Sequence, residues 1–250
     1  MDLPDFTTAQ WLLAILAGFC AGVSKAGMAG LGMLCVVLMA QLIPGRASSG
    51  AVLPLLIFAD VLAAILFRQQ ILWTHIRRLA LPIFAGILAG CAVLHYMPDA
   101  VFKPVIGWMV LGLIALQVAK HFRPELTSGL PHSTAFLWAA GLLTGASTMI
   151  ANAAGPVATI YLLMFGLPKK EFIATMAWLF LFVNLSKVPF SLALGLISVE
   201  SFALNVVLLP AVVAGLLLGR KFIERLPQGP FTWLVLGLAG ASAVKLIWFP

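Results

Sequence analysis

Residues 11–43 read WLLAILAGFCAGVSKAGMAGLGMLCVVLMAQLI, an apolar run interrupted by Ser24-Lys25-Ala26-Gly27 and by Gly30-Leu31-Gly32. A membrane-crossing helix needs about 20 residues. The 33 residues of this run would extend roughly 50 Å as one straight helix. Residues 134–166 repeat the situation, with an interruption at Asn152-Ala153-Ala154-Gly155-Pro156. Each long run therefore reads as two short helices joined by a break and folded back as a hairpin. Six further apolar runs, 47–67, 79–97, 100–119, 172–194, 197–219 and 231–249, each have the length of one crossing.

The composition agrees with a lipid solvent. Of 250 residues, 62% are hydrophobic and 9% charged, and the mean hydropathy is +1.10. A water-soluble domain carries about 25% charged residues, so this chain has too few to cover a water-facing globule. The net charge of +7 comes from basic residues in short gaps between apolar runs, where cytoplasmic loops carry them. No nucleic-acid motif accompanies them. Cys20, Cys35 and Cys91 lie inside apolar runs without disulfide or zinc spacing. The acidic start, Met1-Asp2-Leu3-Pro4-Asp5, lacks the basic region of a signal peptide.

Basic residues also set the expected topology. If both long runs are hairpins, Arg68, Arg77, Arg78, Lys120, Arg123, Lys169, Lys170, Arg220, Lys221 and Arg225 share one side, ten in all. Arg46, Lys103 and Lys245 make three on the other. Single crossings would split the same residues six to seven. The positive-inside rule selects the hairpins and puts both termini outside the cytoplasmic membrane.

The chain repeats itself. Gly18, Gly22 and Ser24 fall on Gly141, Gly145 and Ser147 at an offset of 123, as Gly32 does on Gly155. Asp60 falls on Asn184 at 124, and Leu94 to Pro98 lies over Ile223 to Pro227 at 129. The expected fold is an all-α polytopic membrane protein of two repeats, residues 1–122 and 133–250, joined by a cytoplasmic linker at 123–132. Each repeat is a broken-helix hairpin plus three transmembrane helices. That odd net number of crossings makes the repeats inverted. Inverted repeats with broken helices are the architecture of secondary transporters, with the substrate near the midplane.

The Gly-x-x-x-Gly-x-Ser pattern in both halves, the Gly155-Pro156 break, Tyr161-Leu162-Leu163, Gly166-Leu167-Pro168-Lys169-Lys170-Glu171-Phe172 and Asn184-Leu185-Ser186-Lys187-Val188-Pro189-Phe190 stand in a fixed order. In that order they resemble the TauE/SafE family of membrane permeases, the sulfite exporter or toluene-sulfonate uptake family. The likeness covers nearly the whole chain and is strongest at 141–195. It implies transport of sulfite, sulfonates or small carboxylates, two homologous halves and no enzymatic activity.

An oxyanion in a low-dielectric site needs donors. Helix N-termini present unpaired N–H groups and partial positive charge, and glycine admits a ligand close to the backbone. The candidate substrate-binding residues are therefore Ser24, Lys25, Gly27, Gly30 and Gly32 at the first break. At the second they are Ser147, Thr148, Asn152 and Gly155, with Asn184 at the repeat position of Asp60. For any one Gly or Ser the alternative is close helix packing. Lys25 at membrane depth costs about 2.5–3.5 kcal/mol on insertion scales, so it needs a partner or a cavity; the alternative is snorkelling. Lys187 is placed nearer the outer end of its helix, where snorkelling is the better reading. Asp60, the acidic residue deep in an apolar run, either pairs with Lys25 or Lys187 or carries protons. Pro54, Pro82, Pro189 and Pro210 are expected to kink their helices.

No cofactor, metal or nucleic-acid partner is expected. The expected partners are a small anion, the bilayer and protons. A passive anion channel is the first alternative function and an intramembrane enzyme the second. No HExxH, aspartate pair or buried His-Ser arrangement supports the latter.

Overall fold

The computed structural model describes residues 4–27, 29–43, 45–68, 70–123, 134–163, 165, 167–223, 233, 236–237, 240–241, 243–244 and 247–248. The chain there is nearly all helix, with no strand among the described residues. Helix α1 (Thr8–Lys25) starts at a capping box. Gln10 N–H donates to the Thr7 hydroxyl, and Thr7 N–H donates to Gln10 Oε1, so two donors that the helix cannot use are satisfied. It ends at Ala26, and Gly27 takes φ of +117°, a conformation closed to most side chains. Helix α2 (Ala29–Leu42) then packs back along α1.

The second long run breaks in the same way. Helix α7 (Thr134–Ala151) ends before Asn152, which adopts φ of +49°. Asparagine tolerates the left-handed region better than most residues. Helix α8 (Gly155–Leu163) restarts with Pro156 in its first turn, where the missing N–H costs nothing. Between the hairpins lie α3 (Ala47–Ala51), α4 (Leu53–Leu66), α5 (Trp73–Tyr96) and α6 (Asp99–Phe122). After the second come α9 (Lys169–Ala193) and α10 (Val199–Ile223).

Six stretches among the described residues are long and apolar enough to cross a membrane: α1, α3 with α4, α5, α7, α9 and α10. Leu12, Ile65, Leu81, Leu143 and Val199 on these helices are at least 60% exposed, as side chains facing lipid should be. The protein is a multi-pass integral membrane protein. Several helices outrun their apolar segments, since α5 begins at Trp73 and α9 at Lys169. Pro82, Pro189 and Pro210 lie inside helices. Pro54 does not, because a turn at Val52 restarts the helix and leaves it in the first turn of α4. Most of the linker at 123–132 and of the last apolar run lies outside the described residues.

Two helix pairs carry the closest packing. Helix α1 lies on α10 and α5 lies on α7, each through glycines. A Cβ on Gly22 would stand 2.1 Å from the Val212 carbonyl oxygen, and one on Gly145 2.1 Å from that of Ile83. A Cβ on Gly215 would stand 2.2 Å from Phe19 O, and one on Gly86 2.3 Å from Leu142 O. These approaches correspond. An offset of 123 carries Phe19 and Gly22 onto Leu142 and Gly145, and 129 carries Ile83 and Gly86 onto Val212 and Gly215. In a membrane, where apolar burial gives helices no mutual attraction, such close backbone approach is a main source of association.

A polar clip closes the corner before α3. Asp99 Oδ1 accepts from the backbone N–H and Nε of Arg46, both at 3.0 Å, and Arg46 Nη1 donates to Leu94 O at 2.9 Å. These hydrogen bonds hold the Asp99 carboxyl below its ordinary pKa. A depressed carboxylate pKa stabilises above the unfolded-state pKa and is lost as pH falls through the folded value. Asp99 is largely exposed, so Asp99→Asn should lower the melting temperature only slightly at neutral pH. The difference from wild type should vanish on acidification.

Candidate functional site

The two breaks meet. Ser24, Lys25 and Gly32 from the first hairpin and Thr148, Asn152, Ala153, Ala154 and Gly155 from the second line one cavity. Met33 of α2, Leu56 of α4, and Phe180 and Asn184 of α9 complete its wall. Its free space for the centres of water-sized molecules is about 40 Å³. One water needs about 10–15 Å³ by that measure, so a few waters or one small tetrahedral anion fit.

Lys25 closes α1 and reaches α4, where its Nζ stands 2.8 Å from Asp60 Oδ1. Of the two partners open to Asp60 in the sequence, the ion pair is with Lys25. Lys25 does not snorkel: its side chain is 9% exposed, and Nζ lies 4.7 Å from the centre of the Phe180 ring. Asn184 Nδ2 donates to Asp60 Oδ2 at 2.6 Å. Asp60 is fully buried, with the Lys25 ammonium as counter-charge at Oδ1 and the Asn184 amide as hydrogen-bond donor at Oδ2, the pairing that a buried charge requires.

Lys187 departs from the sequence reading. It is 1% exposed and does not snorkel. It lies three residues beyond Asn184, on the same side of α9, and faces the second break. Its Nζ donates to Asn152 Oδ1 and, at 3.5 Å, to Thr148 Oγ1. The ammonium therefore orients the Asn152 amide. Asn152 Nδ2 donates to Ser49 O at 2.9 Å, and Ser49 Oγ donates to Met149 O at 3.1 Å. The second break is thus held by α9 on one side and α3 on the other.

The hydroxyls have narrower parts. Ser24 Oγ donates to Ala21 O at 2.7 Å, so its hydrogen is used within α1. Ser147 is absent from the cavity wall and donates to Thr144 O and Ala153 O. It staples the end of α7 to the break. Gly27 supplies the left-handed turn, Gly30 lies in the first turn of α2, and Gly155 opens α8 at the cavity. First-turn N–H groups have no partner within their own helix. Those of α8 stand where Ala153, Ala154 and Gly155 line the cavity.

Phe180, Leu56, Ser49 and Asn205, whose Nδ2 donates to Ala51 O, did not emerge from the sequence. Ser48-Ser49-Gly50, a small polar group in an apolar run, was the available signal for Ser49. Phe180 and Leu56 look like any core residues until their neighbours are known.

A family model described as "Sulfite exporter TauE/SafE" matches residues 14–246. No curated protein and no solved structure matches the chain.

Proposed function

Since the chain belongs to the TauE/SafE family of membrane transporters of sulfur anions, we propose that it is a secondary transporter binding one small oxyanion in the cavity between the two breaks. Its cargo is a sulfur oxyanion, an organosulfonate or a small carboxylate. It works by alternating access in a bacterial cytoplasmic membrane, with proton coupling through Asp60. The observation carrying this reading is that both broken hairpins, far apart in sequence, present Lys25, Asn152 and the start of α8 to one cavity. Those are the donors that a desolvated oxyanion needs.

The two halves, residues 1–122 and 133–250, are read as inverted repeats. The paired glycine approaches support this. So does the hydrogen bond between Asp60 and Asn184, which are repeat mates at offset 124. Residues that touch their own repeat mates lie beside the axis relating the halves. A site on that axis can open to one side and then the other when either half tilts. Asp60 holds Lys25 between transport events, and an arriving anion takes its place.

The test is uptake of labelled sulfite, methanesulfonate and acetate into proteoliposomes. A carrier gives saturable uptake and counterflow; conductance without counterflow would favour a channel. Orientation is tested separately by single cysteines at Arg77 and Phe122, both exposed, on a cysteine-free background. With both termini outside, an impermeant thiol reagent leaves both unlabelled in intact cells and labels both after permeabilisation. Labelling in intact cells would overturn the placement of both termini outside.

A further inference from the structure

Three ionisable groups sit together at this site. Lys25 and Lys187 are cations and Asp60 is an anion. Among the described residues Asp60 is the only buried carboxylate. Its two oxygens are taken by Lys25 and Asn184, whereas the acceptors of Lys187 among the described residues, Asn152 and Thr148, are neutral. The charged groups facing Asp60 are Lys25 from α1 and Lys187 from α9. Helix α10 also packs on α4; its Arg220 and Lys221, in the last turn of the helix where Gly219 meets the end of α1, are exposed. Cys35 is a thiol near Lys25. The fully ionised site therefore carries one net positive charge, and a net charge in a low-dielectric interior is costly until balanced.

Resting on the anion-carrier reading, we propose that the site accepts one net negative charge per transport event. A monoanionic sulfonate binds alone, whereas a dianionic oxyanion binds together with one proton that adds to the Asp60 carboxylate. In the second case an O–H bond forms on Asp60, the Lys25 ammonium is released from the ion pair to face the dianion, and the Lys187 charge behind the cavity wall supplies the second positive charge. Both loaded states are then neutral. Lys187 is a positioning residue: it does not line the cavity, and its charge acts through the Asn152 amide and the Thr148 hydroxyl that it holds. The site thus adjusts its proton uptake to the charge of its cargo.

Methanesulfonate and sulfate separate the two cases, since they are similar tetrahedral ions that differ by one charge and neither titrates near neutral pH. Binding to the purified wild-type protein is measured by calorimetry in buffers of different ionisation enthalpy, which gives protons taken up per anion. The expected values are none for methanesulfonate and one for sulfate, and sulfate affinity should rise about tenfold per pH unit of acidification. In Lys187→Met, methanesulfonate should bind with uptake of a proton; in Asp60→Asn, sulfate should bind with none. A purely structural role for Lys187 would leave proton uptake unchanged. If either variant fails to fold, the wild-type values decide alone. Equal proton uptake for both anions, or binding of sulfite without either of them, would overturn charge balancing while leaving the anion carrier in place. Failure of sulfite, methanesulfonate and sulfate alike to bind would remove both.

Discussion

Lys25→Met and Asp60→Asn should each destabilise the protein by about 3–5 kcal/mol, the range for removing one member of a buried ion pair. Lys25→Met leaves a fully buried carboxylate whose remaining donor is Asn184. Asp60→Asn leaves the Lys25 ammonium over the Phe180 ring without its counter-charge. The double variant Lys25→Met/Asp60→Asn removes both charges and should recover most of the lost stability, because a neutral pair carries no uncompensated charge. Transport should not recover with it. A purely structural pair predicts recovery of both. Thermal melting in detergent and uptake by proteoliposomes, measured on the same three variants, separate stability from transport. A double variant as stable and as active as wild type would show that Lys25 does not bind substrate.

Gly145→Ala and Gly22→Ala should be more harmful than any other alanine substitution in their helices. Each added Cβ would stand 2.1 Å from a carbonyl oxygen of the facing helix, and backbone cannot move aside as a flexible side chain can. The helices must separate, at a cost of at least about 1–3 kcal/mol for overpacking, and the seam loosens along its length. A Cβ added at Gly112 or Gly237 would have nothing within 4 Å among the described residues, so Gly112→Ala and Gly237→Ala should be near neutral and serve as controls. The two harmful substitutions should act alike, since they occupy corresponding places in the α1–α10 and α5–α7 pairs. Protease resistance of the reconstituted variants measures the effect. Unequal losses would count against symmetric halves.

The broad fold is legible in the sequence because the two breaks announce themselves. Ser24-Lys25-Ala26-Gly27 and Asn152-Ala153-Ala154-Gly155-Pro156 combine a helix-ending residue with polar groups inside runs too long for one crossing. Both become turns with positive φ, at Gly27 and Asn152. The Lys25–Asp60 pair is legible as one of two pairings, since two opposite charges at depth need each other. Lys187 is misread from sequence because distance from the end of an apolar run does not give depth. Nothing local shows that this face of α9 meets Asn152, which lies 35 residues away. Pro54 reads as a helix interior because the turn at Val52 has no sequence mark beyond the proline itself. Tertiary neighbours decide both cases.

In the proposed carrier the anion binds where the two broken hairpins meet. Crystals of the protein grown with selenite, a heavier analogue of sulfite, would locate the ion directly by the anomalous scattering of selenium. The account predicts a selenium peak in the cavity lined by Lys25, Asn152, Gly155 and Asn184, within hydrogen-bonding reach of the Lys25 ammonium. A selenium peak confined to the membrane-facing or loop surfaces, with the cavity empty at saturating selenite, would contradict it.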